Sequence, residues 1–123
     1  MITPLAPALI AAPLKGVEIL ILDAQTVDET KSTVVCPSPG IKNHTFTIKT
    51  SASVTGAILV ETANDPEYTG VWNPLESAAY DLSTVGAAHE KQYRYSNIAL
   101  TAVRARISTV VGGGTVSVSY LGN

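Results

Sequence analysis

Apolar and polar residues alternate at every second position in one short segment of this chain after another, and Gly, Pro, Asn and Asp clusters separate the segments. In "HTFTIKT", Phe46 and Ile48 point one way while Thr45, Thr47 and Lys49 point the other. In "AILVET", Ile58, Val60 and Thr62 share one face and Ala57, Leu59 and Glu61 the opposite one. The longest candidate, "SNIALTAVRARISTV", sets Val103, Ala105 and Ile107 against Ala102, Arg104, Arg106 and Ser108. "TVSVSYL" returns with Val116, Val118 and Tyr120 inward, and Gly112-Gly113-Gly114 before it reads as the turn of a closing hairpin. A period of two repeated this often, with no sustained period of 3.6, restricts the chain to sheets.

The remaining segments fill in the plan. "VEILILD", Val17 to Asp23, is apolar at both parities, as expected of a strand covered on both faces. "STVVC" is a short strand ended by Pro37-Ser38-Pro39-Gly40. Pro74 confines "VWNPL" to a sheet edge or a strand end. Residues 76–92 are mixed and polar and read as a long connection with room for a helical turn. Seven or eight short strands predict an all-β fold, an antiparallel β-sandwich or jelly-roll-like barrel. At 123 residues the chain has the size of one domain and buries roughly two-thirds of its unfolded surface.

Residues 1–15 stand apart from residues 16–123, which form the β-sandwich domain. Pro4, Pro7 and Pro13 fix φ and remove backbone donors, so the segment is predicted to be an extended N-terminal arm. It has no basic start of the signal-peptide kind, and the prolines interrupt any membrane-spanning run. Ile2, Leu5, Leu9, Ile10 and Leu14 make it apolar, and such side chains call for a docking surface on this domain or on a neighbouring subunit. Fourteen extended residues reach about 45 Å.

Composition narrows the chemistry. Charged residues make up 15% of the chain and the formal net charge is −2, so no overall positive field draws nucleic acid. Cys36 is the only cysteine, which excludes an internal disulfide and a multi-cysteine metal site. His44 and His89 have no second ligand at metal spacing, and no nucleophile-elbow or phosphate-loop pattern occurs. No catalytic signature is legible, and no cofactor, metal, small-molecule substrate or membrane partner is expected.

Three features invite a partner. "VETANDPEYTGVWNPLES" clusters Asn64, Asp65 and Glu67, the oxygen donors a hard cation would use, but the spacing is not that of a calcium loop. The other reading is an Asx-type turn with Asp65 held extended before Pro66. Trp72 either stacks on a partner or caps the core beside Phe46 and Val118. Arg104 and Arg106 point the same way on one strand, with Lys91 and Arg94 near them in sequence. They form either a basic stripe for an acidic partner or a solvated face.

Taken in order, the early "LILDAQTVDETKSTVV" strand pair, the strand and acidic turn leading to a tryptophan, and the final "IALTAVRARISTVVGGGTVSVSYLGN" resemble the small β-sandwich proteins of tailed-bacteriophage virions. Glu61, Asn64, Asp65, Trp72 and Leu75 match that family's turn pattern. Arg104, Arg106, Gly113, Gly114, Thr115, Val116 and Val118 match its terminal hairpin, and "PEYTG" is an insertion relative to it. The resemblance covers residues 17 to 123. It implies a structural virion component without catalysis; small size, low charge, a β-sandwich and an apolar arm able to lie across neighbouring coat subunits point to a capsid decoration or cement protein, made in the host cytoplasm and carried on the capsid surface. Its expected partners are the major capsid protein and copies of itself, as a homo-oligomer, dimer or trimer. The arm would supply one contact, and Asp65, Glu67, Tyr68, Arg104 and Arg106 another. The alternative is a tail or fibre module that binds a host-surface glycan through Trp72, Tyr68 and the acidic loop.

Overall fold

The computed structural model describes residues 8–11, 16, 18–26, 33–37, 40–63 and 72–123. Among the described residues ten strands follow one another: β1 (Ala8–Ala11), β2 (Glu18–Gln25), β3 (Thr33–Cys36), β4 (His44–Thr50), β5 (Thr55–Ala63), β6 (Asn73–Pro74), β7 (Tyr80–Asp81), β8 (Glu90–Tyr95), β9 (Ala102–Gly112) and β10 (Val116–Gly122). One turn of 3-10 helix, Leu82–Thr84, follows β7. The Asp81 carboxylate caps it by accepting from the Ser83 amide and hydroxyl, and these bonds hold its pKa below the usual carboxylate value.

Two sheets pack face to face. The first runs β1-β3-β9-β5-β6, with β7 on the same flank of β5 as β6. The second runs β2-β10-β4-β8. Every pairing among the described residues is antiparallel except that of β1 with β3. The fold is thus an all-β sandwich. Its core lies between the sheets, where Val35, Ile58, Val60, Val103, Ala105 and Ile107 meet Ile21, Leu22, Phe46, Ile48, Val116, Val118 and Tyr120. Phe46 and Val118 are fully buried at its centre, as their alternation predicts.

Four expectations change. The glycine triplet does not turn a hairpin: β9 and β10 lie in opposite sheets, and the segment between them carries the chain across the sandwich. Gly113 makes that passage with φ +87, where a Cβ would stand 3.0 Å from the Ser53 carbonyl oxygen. The early strand pair is likewise divided, β2 in one sheet and β3 in the other. Strand β2 is not covered on both faces, since Leu20 is exposed; instead its pairing with β10 shifts between Leu22 and Leu20, so that Ile21 and Leu22 both turn inward. Finally, the polar stretch read as a connection, residues 76–92, contains all of β7 and the first three residues of β8, and the six residues of β8 pair with β4 without a register shift.

The arm expectation bears on β1. Ala8–Ala11 is extended and lies at the edge of the first sheet, with Leu9 opposite Val34 and Ile10 opposite Val35. Ile2, Leu5 and Leu14 lie outside the described residues.

Candidate interaction faces

The outer face of the first sheet gathers three of the candidate residues, Arg104, Arg106 and Trp72. Register sets Glu61 of β5 opposite Arg104 of β9, with Leu59 opposite Arg106 one step along, so all four side chains share the face turned from the core. The Arg104 and Arg106 Nε–H groups both donate to Glu61 Oε1, at 2.9 and 3.1 Å. Glu61 is only 5% exposed, so its carboxylate has little water and depends on these charge-assisted bonds. The arginines are more open, their side chains 18% and 34% exposed for Arg104 and Arg106 respectively. Two cations on one anion leave a surplus positive charge, and Arg106 is the more open carrier of it.

Trp72 continues this face. It packs against Val34, Ala63 and Ala102, a small cluster separate from the main core, and the Arg104 guanidinium stands 4.2 Å from its ring centroid. The indole therefore packs on the outside of the first sheet and does not cap the space between the sheets. Cys36 borders the same cluster, and burial pushes its thiol pKa up. The four-residue basic stripe does not assemble, because Lys91 and Arg94 belong to β8 in the other sheet. Asp65, Glu67 and Tyr68 lie outside the described residues.

A second face escaped the sequence reading. Where β7 and β8 flank the opening between the sheets, Tyr80, Tyr93 and Tyr95 form an aromatic row with ring centroids 6.4 and 6.5 Å apart. The Tyr95 hydroxyl donates to Glu76 Oε2 at 2.6 Å. Tyr80 Oη lies 2.8 Å from His89 Nε2, while His89 Nδ1 lies 3.0 Å from the Ala87 carbonyl oxygen. A neutral imidazole with its proton on Nδ1 satisfies both neighbours, donating to Ala87 and accepting from Tyr80. Lys91 Nζ sits 5.8 and 5.2 Å from the Tyr80 and Tyr93 ring centroids. Burial is the main cause that raises all three phenol pKa values; Asp81 adds to it at Tyr80, and Glu76 adds to it at Tyr93 and Tyr95.

The row closes one side of the sandwich, and both His89 ring nitrogens are engaged within the protein. Its sequence signal is the alternation of Lys91, Tyr93 and Tyr95, which places them opposite Ile48, Phe46 and His44 on the inward face of β8. Among the described residues, no three His, Cys, Asp or Glu side chains converge as a metal ligand set. Comparison with models of protein families, with curated proteins and with solved structures finds no match to this chain.

Proposed function

We propose that this protein is a non-enzymatic structural component of a tailed-phage virion, a decoration or cement protein that binds the coat lattice and stabilises it. The observation that supports this reading is the geometry of β1. A proline-flanked apolar segment joins a sheet edge through backbone pairing, and the same kind of strand addition can be made on the edge of a neighbouring subunit. The sandwich supplies a rigid body, and the partly exposed Arg106 supplies a cation for an acidic coat surface.

Virions that carry the protein test the reading directly. Immunogold label or added cryo-EM density over the head supports it, and label confined to the tail overturns it in favour of the tail or fibre module. Deleting residues 1–14 is expected to abolish co-sedimentation with empty capsids while the truncated domain still unfolds cooperatively. Full binding by that domain would remove the arm from the mechanism. The glycan alternative draws little from Trp72, because Arg104 covers part of the indole and Val34, Ala63 and Ala102 pack against it.

A further inference from the structure

Unpaired sheet edges attract other strands, and three of the edges described here are short or irregular. Strand β1 has four residues, β6 and β7 have two each and include Pro74, and β2 breaks register twice against β10. Strand β8 differs: six residues long, it pairs in unbroken register with β4 on one side and with no strand among the described residues on the other.

The phase of its free edge is fixed. The Thr50 amide donates to the His89 carbonyl at 3.0 Å, and the β4–β8 register, continued one residue past Lys49 and Glu90, sets these two residues opposite each other. Antiparallel pairs alternate between those that exchange backbone bonds and those that do not. Lys91, Tyr93 and Tyr95 therefore direct their amides and carbonyls to β4, whereas Glu90, Gln92 and Arg94 direct theirs outward. These three are also the exposed side chains of the strand.

We infer that β8 pairs antiparallel with β8 of a second copy of this chain, centred on Gln92, to join the two β2-β10-β4-β8 sheets into one. An antiparallel partner must place bonding residues opposite bonding residues. Centring on Gln92 does so at all three positions, with Gln92 opposite Gln92 and Glu90 opposite Arg94 at each end. The outward charges are then complementary at a Cα separation of about 5.5 Å. Sliding by two residues in either direction leaves Glu90 or Arg94 without its opposite charge. Lys49, already beside Glu90 on β4, extends each row as cation, anion and cation. The arrangement is a closed two-fold contact, and the doubly shifted β2 at both ends of the enlarged sheet discourages further addition.

Sedimentation velocity on the full chain at low salt tests the pairing. Wild type is expected to dimerise with concentration, and Arg94→Glu, which sets like charges opposite one another, is expected to raise the dissociation constant at least tenfold. Glu90→Arg should do the same, while the double exchange restores the dimer. Gln92→Pro deletes the outward amide and the side-chain bonds to Thr47 and Arg94 but no backbone bond to β4, so it should yield a monomer that still unfolds cooperatively. In wild type, amide exchange at Gln92 should slow as the dimer forms. A wild-type chain that stays monomeric up to ~1 mM, or a dimer indifferent to the charge exchanges, overturns the inference. The contact deepens the self-association part of the virion proposal but is tested without a coat: a charge-sensitive dimer with no capsid label would sink only the virion reading, and capsid label on a monomer only the pairing.

Discussion

His44 is 1% exposed and uses both ring nitrogens within the protein. Nε2 donates to the Ile98 carbonyl at 2.9 Å, which leaves Nδ1 to accept from the Tyr120 hydroxyl at 2.6 Å. Burial lowers the imidazole pKa, and the bond to Ile98 opposes this only in part. The unfolded chain, with an ordinary value near 6.5, therefore takes up a proton before the folded chain does. The stability this residue contributes is present in full above that pH and is lost as pH falls through the folded value. Urea midpoints measured from pH 8 to pH 5 should decline in wild type. In His44→Gln the midpoint should be lower at pH 8 but vary less across the window; an equal slope in both proteins would locate the titration elsewhere.

At the scale of the strand, β5 and β9 show how a bulge dictates a residue. Their register slips between Thr55 and Ala57 and again between Ala57 and Ile58, which accommodates extra residues of β9 around Ser108 and Val110. Gly56 meets that bulge with φ +118, and a Cβ there would lie 2.9 Å from both the Thr109 and Val110 carbonyl oxygens. Gly56→Ala combines backbone strain with a clash against backbone, so a loss on the order of 1–3 kcal/mol or more is expected in denaturant unfolding. An unchanged midpoint would mean that the bulge relaxes freely. Such features separate what is legible in the sequence from what is not. Strand β4 was readable because Phe46 and Ile48 enter the core while Lys49 stays in water. Strand β8 was hidden because its inward residues are a lysine and two tyrosines at the rim of the sandwich, too polar for an apolar alternation. The glycine turn misled because alternation identifies a strand without saying which sheet receives it. Arg104 and Trp72 stood out as residues, but the carboxylate that binds Arg104 lies 43 positions away, joined by a pairing that no local pattern encodes.

Across the whole molecule, the second sheet is closed by its last strand. Strand β10 lies between β2 and β4, with Val118 opposite both Leu22 and Ile48, and it unites the two ends of the domain. Further bonds secure the same end: the Gly16 amide donates to Gly122, and Asn43 and Asn123 exchange backbone bonds. Without β10, β2 has no partner strand among the described residues of its sheet, and the inward side chains of β4 lose Val116, Val118 and Tyr120. A chain ending at Thr115 is therefore expected to show no cooperative unfolding transition. A separate peptide of residues 116–123 should restore one by strand addition between β2 and β4. Because this closure joins distant parts of the chain, refolding of the intact protein should take milliseconds to seconds, the range of β-rich domains built from non-local pairs. Val118→Ala removes two methyl groups from a fully buried site and should cost roughly 2 kcal/mol. If closure by β10 belongs to the folding nucleus, most of that loss appears as slower refolding in stopped-flow measurements. Faster unfolding with unchanged refolding would place β10 after the barrier, and a cooperative transition in the chain ending at Thr115 would show that the first sheet folds without it.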